Sequence, residues 1–117
     1  MRKRNYKVYL QDIMENMDIA ENFLEGMSLE KLTKDKKTVY AVVRSIEIIG
    51  EATKHIPDSI RKKYPEIPWK RMAGMRDKVI HEYFGVNLEV VWRTLKEEIP
   101  PIKVLIKKVL AQLKEID

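Results

Sequence analysis

The chain has 117 residues, a formal net charge of +5, 44% hydrophobic residues and 35% charged residues. This length predicts a single domain over residues 1–117 with one core. The absence of cysteine excludes a disulfide framework, and with His55 and His81 as the two histidines we predict neither a metal site nor a cofactor. No run approaches the roughly 18 apolar residues of a membrane span, and no apolar signal core follows the basic start. We therefore expect a cytoplasmic protein.

Apolar residues in the first half of the chain recur at the spacing of amphipathic helices. The first predicted helix carries this pattern over residues 10–24, and Gly26 is expected to close it in a left-handed conformation. Ser28 is expected to start a short turn. A second long helix is predicted to begin after Asp35 as its N-cap and to run to about Ile56, where a proline stops it.

The same spacing continues through the second half of the chain. A short helix is predicted over residues 58–64 with Asp58 as its cap, and a third substantial helix over residues 69–83, ended by a glycine. Asn87 is predicted to cap a fourth helix. The proline pair at 100–101 is expected to break it, and a last helix is predicted over residues 102–116.

These elements predict an all-α fold, an up-and-down bundle of four or five helices, because no alternating strand pattern is present. Gly50 and Gly74 lie inside predicted helices, where glycine is unfavourable, and close helix contact is the expected reason for both. Apolar residues such as Trp69 and Trp92 are interpreted as core, although a hydrophobic face could also serve a partner chain.

The whole positive excess lies in residues 61–78, because the rest of the chain is balanced. The basic residues of this window are Arg61, Lys62, Lys63, Lys70, Arg71, Arg76 and Lys78. Such a window attracts phosphate groups by long-range electrostatics, which favours a nucleic acid, a nucleotide or a membrane surface as partner. For the first three residues, a solvated helix face is an equally good explanation.

Arg76 departs from the pattern of its predicted helix. At about 100° per residue, the apolar residues of this helix all fall within about 60° of it. Because an arginine keeps its charge, a guanidinium in this stripe needs a paired anion, an escape along its stem, or a subunit interface. A purely structural tie to helix carboxylates or carbonyls remains an alternative.

His81 lies about 140° around the same predicted helix from Arg76. Asp77, one turn earlier, can orient its imidazole, although by itself the residue also reads as a surface histidine. A histidine that titrates near neutral pH, a permanent arginine charge and a basic window together suit phosphodiester cleavage. RNA supplies its own nucleophile, the 2′-hydroxyl, so this chemistry requires no metal.

Other chemistries find little support in the sequence. The four glycines are too widely separated for a phosphate-binding loop, and no nucleophile elbow surrounds a serine. Glu97 and Glu98 are expected on a solvated helix face.

Several segments, in this order along the chain, carry a family resemblance. They are the helix of residues 13–26, Arg44, Glu-Ile-Ile-Gly-Glu-Ala at 47–52, Ile-Pro-Trp at 67–69, the Arg-x4-His-x-Tyr motif at 76–83 and Val-Trp at 91–92. Together they resemble the HepT-like branch of the HEPN superfamily over nearly the whole chain. The resemblance implies an all-helical HEPN-type homodimer, encoded beside a minimal nucleotidyltransferase antitoxin, that acts as a metal-independent endoribonuclease toxin of a type VII-like pair.

The resemblance also assigns roles to residues. His81 would act as general acid or base, and Arg76 would stabilise the transition state in a cleft shared by two subunits, with Asp77 in support. Tyr83 would be the tyrosine that the nucleotidyltransferase modifies with AMP, although its spacing fits a core residue equally well. The alternative function is a non-catalytic helical module that binds the nucleotidyltransferase or a nucleotide through the same basic surface.

Overall fold

In the computed structural model, residues 5–79 and 87–116 are described, with side chains as far as residue 113. These residues form helices and no strand, which confirms the predicted all-α class. The elements are α1 (Tyr6–Leu24), α2 (Leu29–Thr33), α3 (Lys36–Lys54), α4 (Asp58–Lys63), α5 (Trp69–Ala73), α6 (Met75–Val79), α7 (Leu88–Arg93), a π-helical turn (Thr94–Glu98) and α8 (Ile99–Ile116). Among the described residues, no helix is long and apolar enough to cross a membrane.

The helix ends in the first half follow local chemistry as predicted. Gly26 has a φ of +75°, the left-handed conformation that glycine adopts without strain. The Ser28 hydroxyl accepts from the backbone N–H of Lys31 and starts α2. Asp35 caps α3, and its carboxylate accepts from the Thr38 backbone N–H at 3.0 Å. That hydrogen bond, with a second one from the Thr38 hydroxyl, lowers the pKa of the Asp35 carboxyl.

Two predictions on helix ends were wrong. Asp58 is the first residue of α4 rather than its cap, because Pro57 takes the N-cap position without a side-chain hydrogen bond. The third helix is not continuous, since Gly74 ends α5 and α6 begins at Met75. Gly74 has a φ of −94° and a ψ of 2°, so the interruption at this residue does not depend on the left-handed conformation that glycine favours.

The prolines at 100 and 101 do not break the chain into two helices, which corrects a third prediction. Helical backbone continues from Leu88 to Ile116 because the π-helical turn lies between α7 and α8. There the Ile99 N–H donates to the Thr94 carbonyl, five residues earlier. Both prolines then fall in the first turn of α8, where a missing backbone N–H is tolerated.

The long helices are tied in antiparallel pairs at their ends. Tyr9, near the start of α1, stacks on His55, which directly follows α3, with ring centroids 4.7 Å apart. Lys103, near the start of α8, bridges to Asp18 and, at 2.7 Å, to Glu21 near the end of α1. The apolar faces of α1, α3 and α8 meet in one core.

Gly50 lies at a close approach of α5 to α3, as predicted. A Cβ atom at this position would lie 3.3 Å from the Ala73 carbonyl oxygen. Gly74 differs, because its nearest atoms are at ordinary contact distance and belong to the preceding turn of its own helix. The predicted helix contact is therefore found at Gly50, while Gly74 separates two helices.

Candidate functional site

Arg76 projects from α6, a helix that the core anchors on both sides of it. Met75 and Val79 are buried, whereas the Arg76 side chain is 54% exposed. Its Nε lies 3.5 Å from Oε2 of Glu47 on α3, and its Nη1 lies 3.6 Å from Oδ1 of Asp77. The guanidinium is therefore paired with two carboxylates and is open to solvent.

This position corrects the expectation that Arg76 lies in the middle of an apolar stripe. The helical-wheel argument assumed an unbroken helix from Trp69 onward, but α5 ends at Ala73 and α6 begins at Met75. Both predicted ways of accommodating the charge within one chain are present, because Glu47 supplies a paired anion from another helix and the half-exposed side chain also reaches solvent. The pairing equally fits the alternative of a structural tie to helix carboxylates.

The other two arginines of the basic window are used inside the fold. Arg61 donates from Nη2 to the Thr53 carbonyl at 2.8 Å and from Nε to the Ile56 carbonyl at 3.1 Å. These bonds satisfy carbonyl groups at the end of α3, where a positive charge is favourable. Arg71 pairs with Glu98 at 2.5 Å and links α5 to the π-helical turn.

The Arg71 contact also corrects the sequence interpretation of Glu98 as a solvated residue. Its side chain is 22% exposed and one of its oxygens also accepts from the Thr94 hydroxyl at 3.4 Å. Glu97 is exposed, as predicted.

The lysines of the window point outward. Lys62, Lys70 and Lys78 are exposed, and the Lys63 ammonium lies 5.7 Å from the centroid of the Tyr64 ring. Lys62 and Lys70 border an open groove of about 750 Å³ whose floor includes Pro65, Ile67, Pro68 and Trp69. The lysines of the window are thus exposed, while its three arginines each make an ion pair or hydrogen bonds within the fold.

His81 and Tyr83, the predicted catalytic and modified residues, lie outside the described residues. Val79 and Asn87, which flank that segment, are joined by a hydrogen bond from the Asn87 N–H to the Val79 carbonyl at 2.8 Å. Arg76 is three residues before Val79, on the helix that leads into the segment.

A cleft of about 290 Å³ lies between α1 and α3. Glu47, the partner of Arg76, forms part of its wall, together with Arg44, Glu51 and the stacked rings of Tyr9 and His55. His55 also pairs with Glu51 at 3.6 Å. Within the described ranges, no group of three or more His, Cys, Asp or Glu side chains is placed to hold a metal ion.

Sequence reasoning did not single out Glu47 as the partner of Arg76. The available signal was Gly50, which lies three residues later and marks the face of α3 that α5 approaches. Glu47 lies one turn before that contact, on the part of α3 near the end of α5. Arg76 lies on α6, the helix that follows α5.

The described part of the chain is an all-helical bundle that carries an exposed, carboxylate-paired arginine on α6 and a separate groove bordered by lysines. The chain matches the HepT-like family, described as ribonuclease HepT-like, over residues 13–109, and it belongs to that family. It is 52% identical over 101 residues to a protein of Thermococcus cleftensis named as a probable ribonuclease HepT, covering 86% of this chain and 92% of the relative.

A relative from Methanocaldococcus jannaschii, named as a candidate RNase, is 50% identical over 117 residues, covering 100% of this chain and 97% of the relative. Another candidate RNase, from Caldanaerobacter subterraneus, is 44% identical over 106 residues, covering 91% of this chain and 95% of the relative. No solved structure matches the chain.

Proposed function

We propose that this protein is a metal-independent endoribonuclease, the toxin of a toxin–antitoxin pair whose antitoxin is a minimal nucleotidyltransferase. The observation that carries the proposal is the half-exposed Arg76 guanidinium, held on an anchored helix beside exposed lysines in a chain of the ribonuclease HepT-like family. A fixed positive charge open to solvent is what a phosphodiester needs as its negative charge grows in the transition state.

In the proposed reaction, the RNA 2′-hydroxyl attacks the adjacent phosphorus and the 5′-oxygen leaves. His81 removes the proton from the hydroxyl or returns one to the leaving oxygen, which suits a group that titrates near neutral pH. Arg76 stabilises the phosphorane-like transition state, and Asp77 supports it by pairing with Nη1 until the RNA phosphate takes that place. Because RNA carries the nucleophile, the reaction needs no metal-bound water.

We propose that RNA binds along the basic surface of residues 61–78. Lys62, Lys70 and Lys78 are the exposed charges that can meet successive phosphates, with Lys63 beside them. Arg61 and Arg71 contribute to the positive field while they keep their contacts within the fold. We propose that the bound RNA extends to Arg76 on α6, which begins one residue after α5 ends.

The proposed active unit is a homodimer in which Arg76 and His81 of both subunits face one cleft. A shared cleft supplies two arginines and two histidines to one phosphodiester, so acid and base roles can fall to different subunits.

The proposed regulation acts on Tyr83, to which the partner nucleotidyltransferase adds AMP. The attached phosphate would compete with RNA phosphate for Arg76, and the adenosine would occupy space beside it. Coexpression with a cognate nucleotidyltransferase, followed by intact-mass spectrometry, should give an adenylyl adduct that disappears in Tyr83→Phe. An adduct that persists in this variant would remove Tyr83 from the role.

Cleavage of a labelled RNA in the presence of EDTA tests the catalytic proposal. We expect wild-type protein to cut and Arg76→Ala and His81→Ala to lose at least about a hundredfold in kcat, the scale of one lost charge stabiliser or proton-transfer group. Circular dichroism should show that both variants stay folded. If the wild-type protein leaves RNA intact, or if both variants cut as well as it does, a non-catalytic module that binds the nucleotidyltransferase becomes the better interpretation.

A further inference from the structure

The contact between Arg76 and Glu47 joins two helices that are far apart in the sequence. Nε of Arg76 lies 3.5 Å from Oε2 of Glu47, and Glu47 is 31% exposed. Asp77, the other carboxylate near Arg76, is 83% exposed and belongs to the same short helix. Because Asp77 is an exposed neighbour on the same helix, Glu47 is the paired carboxylate that can orient the guanidinium relative to the rest of the bundle.

The backbones that carry this pair are held against each other. The close approach at Gly50, one turn after Glu47, fixes α5 on α3, and α6 follows α5 directly. Met75 and Val79 anchor α6 in the core on either side of Arg76. The flexible part of the arrangement is therefore the Arg76 side chain itself, whose rotamer freedom is large when it is unpaired.

The edge of the guanidinium that Glu47 approaches determines which N–H donors of Arg76 remain free to bind phosphate. An arginine presents five donors in a planar fork, and a carboxylate near Nε lies along the edge formed by Nε and Nη2, which leaves the end-on edge of Nη1 and Nη2 to bind phosphate. Asp77 lies near Nη1 and is solvated, so a phosphate oxygen can replace it. Glu47 thus holds the stem side of the group and leaves its phosphate-binding side accessible.

We propose that Glu47 is a positioning residue for Arg76, which rests on the proposed role of Arg76 in RNA cleavage. Its carboxylate orients the Arg76 guanidinium before substrate arrives. The entropy cost of ordering the Arg76 side chain is therefore not added to the barrier of the reaction. The same carboxylate adds a negative charge near the bound phosphodiester. Orientation of Arg76 by Glu47 raises kcat, whereas the negative charge of Glu47 weakens RNA binding. Removing this charge should therefore lower kcat without raising KM, and this combination tests the proposal.

The central variant is Glu47→Gln, which keeps the size of the side chain and removes its charge. Glu51→Gln is the matched control, because Glu51 lies one turn later on α3, lines the same cleft and pairs with His55 instead. We expect Glu47→Gln to lower kcat at least about tenfold, as misplaced catalytic groups do, with KM for RNA unchanged or lower. Glu47→Asp should restore part of kcat, and Glu51→Gln should leave both constants within about twofold of wild type.

A readout that does not depend on activity is the Arg76 side-chain resonance in ¹⁵N NMR spectra of the full chain, assigned with Arg76→Lys. Pairing at Nε should slow hydrogen exchange of that group in the wild-type protein and in Glu51→Gln, and exchange should speed up in Glu47→Gln.

Equal kcat for Glu47→Gln and wild type would overturn the positioning role, as would a rise in KM with kcat unchanged, which would mean that Glu47 serves binding. Unaltered exchange at Arg76 Nε in Glu47→Gln would overturn it as well. Failure of the proposed function looks different, because wild type would then not cleave, or Arg76→Ala would cleave normally, whatever Glu47 does.

Discussion

Gly50 controls how closely α5 can lie on α3. The space that a Cβ would need is bounded by the backbone carbonyls of Ala73 and Met72, at 3.3 Å and 3.5 Å, and backbone atoms cannot rotate away as a side chain can. This single position therefore affects both the packing of α5 and the placement of α6, which carries Arg76.

We expect Gly50→Ala to destabilise the fold. Strain from inserting a methyl group into a packed contact is about 1–3 kcal/mol, which exceeds the roughly 1 kcal/mol that alanine gains in a helix interior. Thermal unfolding followed by circular dichroism should show a lower midpoint. Gly74→Ala is the control, because its Cβ would meet nothing closer than 3.6 Å, and its midpoint should stay near that of wild type. A stabilised Gly50→Ala variant would show that α5 moves freely on α3.

At the scale of elements, the basic window combines two kinds of charge. Its arginines connect helices to each other, as Arg61 does at the end of α3 and Arg71 does at the π-helical turn. Its lysines remain on the surface. Arginine suits fixed contacts because its planar fork makes several hydrogen bonds at once, whereas the lysine ammonium is a strongly hydrated point charge.

Arg61→Ala and Lys62→Ala should therefore have different effects although the residues are neighbours. Loss of the two hydrogen bonds of Arg61 should lower the free energy of unfolding by about 1–3 kcal/mol. Lys62→Ala should leave stability within about 0.5 kcal/mol and weaken RNA binding, with a smaller dependence on salt. Denaturant unfolding and a salt titration of binding to a labelled RNA measure the two effects. The division of roles is wrong if Arg61→Ala unfolds like wild type.

The bridge from Lys103 to α1 is the clearest electrostatic link between long helices. Hydrogen bonds to Asp18 and Glu21 raise the pKa of the Lys103 ammonium above its usual 10.5. A raised pKa in the folded state means that the contribution to stability is complete below about pH 10 and is lost as the pH rises through the folded-state value.

Lys103→Met should lower the free energy of unfolding by about 1–3 kcal/mol at pH 7, because two carboxylates lose their partner. The difference from wild type should be constant at neutral pH and shrink above about pH 10.5 as the wild-type lysine loses its proton. Denaturant unfolding at several pH values gives this difference. A gap that is absent at pH 7, or unchanged at pH 11, would contradict the bridge.

For the whole molecule, the proposed shared cleft requires two copies of the chain. We expect multi-angle light scattering at micromolar concentration to give twice the mass of 13.9 kDa. Specific RNase activity should fall on dilution into the range where the dimer dissociates, because each cleft needs both subunits. A monomer mass with intact helical circular dichroism would exclude the composite site.

The sequence by itself determined the all-α class, the caps at Ser28, Asp35 and Asn87, and the left-handed Gly26. Each of these features depends on residues within about one helical turn, so local spacing and backbone preferences are sufficient to predict it. The position of the positive charge along the chain could also be determined, because it follows from the order of the residues alone.

Tertiary structure alone decided what the charged residues do. Arg76 pairs with Glu47, and Arg71 with Glu98, across helices that are distant in the sequence, and no periodicity links such residues. The helix break at Gly74 and the continuous helix through the two prolines were also not predicted, and at the prolines a π-helical turn precedes α8, with the Ile99 N–H bonded to the Thr94 carbonyl. Contacts between distant segments set the geometry of the candidate site because a guanidinium is oriented by whichever anion the fold brings to it.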